Sequence, residues 1–426
     1  MPAPCILIVG TLDTKAEEIA FLCAQVERAG GRARVMDVGV GDRADHVPAI
    51  TNTQVAQAAG VSLDAVRESG DENRAMVLMA RGAALLARQA HAAHEIDGLL
   101  ALGGTLGTDL ALDVANALPL GCPKLLLSTI AHSHLIPPER VPADLTMCLW
   151  AGGLYGLNPL CQSALAQAAG AVVGACRAVA PAKVPVQRTA QVATAPQRPL
   201  VGMTSLGSSV LRYMRLLKPA LAARGYELVV FHTTGMGGQA FESLAAQGHF
   251  VAVMDFSLQE LVNELAGSCV TAGPRRLLGA GLGGVPQLVA PGATDMVDFP
   301  AWGLCPASLR GRPQHTHNRL IASVSIDASL RTTVARAIGE RLAQARGRSC
   351  LLLPLQGVEE WDRPGAPFHD PEGLALLCDA LPRHLPPATA LHRVDAHIND
   401  RAFADAALAV FDAWVADGSI APGVRP

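Results

Sequence analysis

The chain has little charge and few aromatic rings: 17% of its 426 residues are Asp, Glu, Lys or Arg, and 4% are Phe, Trp or Tyr. With a formal net charge of −3 it carries no electrostatic footprint for nucleic acid or an anionic membrane, and no platform of rings on which bases stack. No apolar run approaches the about 18 residues of a spanning helix, and no basic region precedes the short apolar run at the start, which reads as a strand. The ten cysteines, from Cys5 to Cys378, never form a C-x-x-C pair. That scatter points to reduced thiols in a cytoplasmic protein rather than a disulfide framework or zinc ribbon. Also missing are G-x-x-x-x-G-K-[ST], a G-x-G-x-x-G placed to mark a dinucleotide site, the G-x-S-x-G nucleophile elbow and H-E-x-x-H.

Half of the residues are hydrophobic, mostly Ala, Leu and Val, and the length exceeds what one core usually serves. Strand-like and helix-like segments alternate, first over residues 5–9, 14–29, 33–38, 71–94, 98–102, 108–118 and 124–129, then through a small-residue helix at 157–179. Residues 180–199, rich in Pro, Ala, Gln and Thr, have neither period and read as a linker. The alternation restarts at residue 200, with strands expected at 200–203, 227–231, 251–256, 277–280, 350–354 and 390–394. The fold class expected is α/β: two Rossmann-like subdomains, 1–179 and 200–426, with mainly parallel sheets flanked by helices.

Four loops share one grammar, a strand running into Gly, Thr or Ser and then a helix: 6–15, 99–109, 200–209 and 229–242 (VVFHTTGMGGQAFE). Glycines there let backbone N–H groups converge on an anion at a helix start, where the helix dipole favours negative charge. Gly103, Gly104, Thr105, Gly107 and Thr108 sit where an open α/β sheet binds ligands and can cradle phosphate, although the same loop also reads as a tight turn. Thr11, Asp13 and Lys15 can adjoin it; alternatively Asp13 or Thr14 caps a helix. In the second half, His232, Asp295 and His317 lie on expected loops and offer acid/base or divalent-ion chemistry, without the spacing of a metal motif. Asp370 and Asp400 read as helix caps.

Taken in order, GTLDTK (10–15), LGGTLGT (102–108), LPLGCPKLLLST (118–129), VFHTTGMGGQAFE, AGPRRL (272–277), GVPQLV (284–289), DMVDF, HTHN, PFHDP (367–371) and HIND (397–400) resemble one family. It comprises proteins related to the ATP-binding N-terminal half of the tomato mosaic virus resistance protein. The resemblance implies two Rossmann-like subdomains, a homodimer and ATP binding, and adds Ser128 and Thr129 to the candidate cofactor residues. An Arg-Thr-Thr expected after His317 and Asn318 is replaced by Ser325-Ile326-Asp327, which removes a fixed cation from the second-half cleft. The expectation is a cytoplasmic homodimer binding ATP or a related phosphorylated small molecule, with Mg2+ as the ion that would accompany it, no nucleic-acid or membrane partner, and no metal ligands identified. The alternative is a small-molecule metabolic enzyme whose active site, in an inter-domain or second-domain cleft, uses His232, Asp295 and His317.

Overall fold

A computed structural model of the chain describes residues 2–41, 48–179, 198–207 and 212–424. Most of the expected linker, 180–197, and the Ser208-Ser209 pair of the third Gly/Ser loop lie outside the described residues. The chain forms two compact units, residues 1–188 and 189–426.

The first unit runs β1 (Cys5–Gly10), α1 (Leu12–Arg28), β2 (Arg32–Asp37), α2 (Asn52–Ala58), α3 (Leu63–Arg67), α4 (Glu72–Ala92), β3 (Gly98–Gly103), α5 (Thr105–Ala117), β4 (Lys124–Ser128), β5 (Leu145–Leu149) and α6 (Pro159–Val179). Its five strands are all parallel in the order β2-β1-β3-β4-β5. β1, β3 and β4 are buried along their whole length, which is why they read as continuous apolar runs rather than alternating ones. Leu7, Val9, Leu99 and Ala101 join one core; Ile6, Ile8, Leu100 and Leu102 join another with α1 and α6. α6 is long and apolar enough to cross a membrane by length and composition, so the expectation that no segment reaches that length is corrected. Its Leu165, Ala169, Val172 and Val173 pack in the core beside α1.

The second unit comprises β6 (Leu200–Ser205), α7 (Arg212–Ala223), β7 (Glu227–His232), α8 (Met236–Ala246), β8 (Ala252–Asp255), α9 (Gln259–Leu265), α10 (Gly279–Leu282), β9 (Gln287–Val289), β10 (Met296–Pro300), β11 (Gln314–Thr316), β12 (Ile321–Ser325), α11 (Ala328–Leu342), β13 (Ser349–Pro354), α12 (Pro371–His384), β14 (Thr389–Val394) and α13 (Arg401–Ala416). Six parallel strands are ordered β14-β13-β9-β8-β6-β7. A separate antiparallel sheet, β10-β12-β11, stands where the sequence suggested only loops. Its strands are short and alternate: Val297 and Phe299 enter a core while Asp298 between them faces the other way. The strand expected at 277–280 is also corrected. Leu277 takes φ +69° and the chain turns into α10, while β9 supplies the missing central strand. Gly279 lies so close to the Glu242 carbonyl of α8 that a β-carbon would not fit, and this approach requires a glycine there.

Candidate functional site

In the first unit the chain passes from β1 to β2 on one side, while β3 lies on the other side of β1. This reversal of strand order opens a crevice at the carboxyl ends of β1 and β3. A cleft of about 430 Å³ lies there, lined by Thr11, Asp13 and Lys15 after β1 and by Gly103, Gly104, Thr105 and Gly107 after β3. Val9, Val38, Met76, Met79 and Leu110 form an apolar wall. Asp37 shapes the rim, because its Oδ1 accepts from the Leu12 and Gly39 amides at 3.0 and 2.9 Å.

Gly104 precedes α5 in an extended conformation and supplies no side-chain cap, so the first amides of the helix face the cleft without a protein acceptor from that position. A β-carbon built on Gly104 would meet only Thr129 Oγ1, at 3.9 Å, whereas one on Gly103 would lie 2.6 Å from Gly107 Cα. Packing therefore demands the glycine at 103; at 104 its absence of a side chain keeps space open. Lys15 leaves helical geometry at φ −137°, ψ 29° and has no acidic partner among the described residues. Asp13 Oδ2 accepts from the Gly41 amide at 2.7 Å, and its buried Oδ1 has no partner. These groups fit a phosphorylated ligand: amides and an ammonium for anionic oxygens, and one carboxylate oxygen for a ligand donor or a cation. No group of three or more His, Cys, Asp or Glu among the described residues is placed to hold a metal ion.

Thr108, Ser128 and Thr129 differ from the other expected cofactor residues. Thr108 and Ser128 are buried and hydrogen-bond to each other at 2.7 Å, and Ser128 Oγ accepts from the Ile130 amide at 3.0 Å. They tie α5 to the end of β4 rather than line the cleft. Thr129 stands beside Gly104, its amide donating to Gly103 O at 3.2 Å.

The HTTGMGG loop after β7 has the anion-binding geometry its sequence suggests, but the anion belongs to the protein. Glu260 Oε1 accepts from the Gly235 and Gly238 amides at 2.6 and 3.1 Å, and a β-carbon on Gly238 would collide with that carboxylate. Glu242 does the same at α10, accepting from the Leu277 and Gly279 amides at 2.5 Å each. Arg276, fully buried, links both carboxylates: its Nε donates to Glu260 at 3.0 Å, Nη1 to Glu242 at 2.8 Å, and Nη1 and Nη2 to Asp255 at 2.5 and 2.6 Å. Burial pushes Glu260 up to about 7, opposed chiefly by the Arg276 charge. The expected phosphate site in this loop is therefore corrected to an internal ion cluster, and Thr233, buried against Ser257 Oγ at 2.7 Å, is equally structural.

Beside it, His232 from the end of β7 and His317 after β11 line one cavity of about 280 Å³ together with Asp298, Ser323 and Trp361. Asp295 does not line it. It lies just before β10, fully buried, both oxygens without a hydrogen-bond partner, and burial followed by the Asp362 charge raises its pKa. Buried Glu359 is raised likewise, by burial first and then by the Asp295 charge. The expected grouping of His232, Asp295 and His317 is thus corrected: the histidines share a cavity, and the carboxylate with them is Asp298.

Both units are doubly wound parallel α/β folds with the same initial strand order. The chain belongs to the uncharacterised protein family UPF0261: the family's N-terminal domain matches residues 4–181 and its C-terminal domain residues 198–415. A UPF0261 protein of Brucella melitensis is 50% identical over 99% of this chain and 98% of its own, and one of Clostridium tetani is 33% identical over 88% and 90%. The tomato protein described as ToMV susceptible protein tm-1(GCR26) is 26% identical over 95% of this chain and 55% of its own length, in line with the resemblance read from the motifs. A putative UDP-N-acetylglucosamine 2-epimerase structure from Listeria monocytogenes is 12% identical over 67% of this chain and 79% of its own, with a TM-score of 0.21, too low to bear on the fold.

Proposed function

We propose that the N-terminal unit binds ATP or a closely related phosphorylated ligand in the crevice between β1 and β3. The observation that carries this reading is the pairing, in one cleft, of the uncapped α5 start at Gly104 and Thr105 with Lys15, a cation without a carboxylate partner among the described residues. Phosphate oxygens satisfy both, and the apolar wall of Val38, Met76 and Met79 suits a base or another flat apolar group. Asp13 is the residue that would face a Mg2+ accompanying the phosphates, through its unpartnered Oδ1. A ligand that binds only the native state raises the unfolding temperature by mass action. Thermal unfolding of the full chain with ATP, adenosine, acyl-CoA and phosphorylated metabolites tests it: ATP is expected to stabilise and adenosine to do so far less. Equal shifts with ATP and adenosine would remove the phosphate argument.

A further inference from the structure

The nucleotide reading leaves the C-terminal cavity without a role. Leu206, Met296, Leu320, Ile321 and Trp361 give it apolar walls. Its polar groups are of two kinds. Asp298, buried on β10, accepts from Ser323 Oγ with Oδ1 and from Gln259 Nε2 with Oδ2, so each oxygen keeps a lone pair for one more donor. Across the same cavity stand His232 and His317, from different elements and with no carboxylate paired to either among the described residues. His232 Nδ1 lies 3.2 Å from Thr234 Oγ1. When that hydroxyl donates to Nδ1, the ring hydrogen sits on Nε2, which then donates to a ligand. Among the described residues, no Arg or Lys lines the cavity.

We propose that this cavity is a second ligand site, taking a small monocarboxylic acid that carries a neighbouring hydroxyl or amino group on a compact apolar body. Each part follows from the lining. The imidazoles of His232 and His317 donate to the carboxylate; Asp298 accepts from the hydroxyl or amine; the Trp361 ring and the aliphatic walls cover the body. A phosphate is disfavoured, because a dianion beside buried Asp298 calls for a fixed cation, and none stands among the described lining residues. The placement of Asp298 with both histidines, and of Asp295 away from them, separates this site from the grouping expected by sequence.

Mandelate is a suitable probe, since it joins a carboxylate, an adjacent hydroxyl and a flat ring. Phenylacetate lacks the hydroxyl and benzyl alcohol lacks the carboxylate. In calorimetric titrations of the full chain at millimolar ligand, mandelate is expected to bind saturably, phenylacetate several-fold more weakly and benzyl alcohol without saturation. His232→Ala and His317→Ala should each weaken mandelate about tenfold, and Gly104→Val in the other unit should leave its affinity unchanged. His232 and His317 are exposed, so both variants keep the test intact even where Asp298→Asn fails to fold. No saturable mandelate binding, an unchanged affinity in both histidine variants, or equal binding of inorganic phosphate would overturn the proposal.

Discussion

Lys15 and Arg276 are both cations at the carboxyl edge of a parallel sheet, and they differ in what neutralises them. Arg276 pairs with three carboxylates of its own chain, whereas Lys15, in a cleft that Asp13 and Glu72 also line, pairs with no carboxylate among the described residues. Replacing Lys15 with Met is therefore expected to weaken ATP about tenfold, or ~1.4 kcal/mol, while leaving unfolding unchanged, as calorimetry and urea denaturation would read. A second residue-scale prediction concerns Glu359 and Asp295. Burial first, then the Asp362 charge for Asp295 and the Asp295 charge for Glu359, raise both above the ordinary carboxyl range. The folded state then holds their protons more tightly than the unfolded chain, so their contribution is complete at acid pH and declines as pH rises through the raised values. Stability measured from mildly acid to alkaline pH should fall, and the fall should be shallower in Glu359→Gln; an identical slope in the variant would contradict it. The sequence showed which residues carry chemistry near these sites but not which way they point. Asp295 and Asp298 lie three positions apart, and the pleat of β10 sends only the second into the histidine cavity.

At the scale of elements, two glycine loops with the same grammar diverge. The loop before α5 is open at Gly104, and the loop before α8 is filled by Glu260. Nothing local to HTTGMGG announces that filling, because Glu260 comes from the next helix and reaches back 22 residues. An acidic residue at the start of α9 and the Arg in AGPRRL were the available signals, and they become legible only when the fold brings them together. Gly238→Ala should therefore destabilise the protein by about 1–3 kcal/mol, since the added carbon displaces a buried, hydrogen-bonded carboxylate. Gly104→Ala, meeting only Thr129 Oγ1 at 3.9 Å, should be close to neutral in the same urea titration. Equal losses from the two substitutions would argue against the contrast.

Across the whole molecule, the alternation of apolar runs and helical spacing was enough to show two parallel α/β units, because their central strands are buried on both faces. The antiparallel sheet escaped notice, as three strands of three to five residues leave too short a period to separate from loop. Each unit reverses its strand order beside its first strand; in the first a cleft lies at the resulting crevice, whereas in the second Arg276 and its carboxylates occupy the end of β8. The family resemblance further implies a homodimer, and sedimentation velocity at micromolar concentration should show one; a lone monomer would count against it. The central claim, a phosphate site at the start of α5, is tested most directly by calorimetric titration of ATP into the full chain beside Gly104→Val. The wild type should bind saturably, and the variant, equally stable to urea, should bind at least about tenfold more weakly because its branched side chain occupies the space above the helix amides. Equal affinity in a folded Gly104→Val protein would contradict the account.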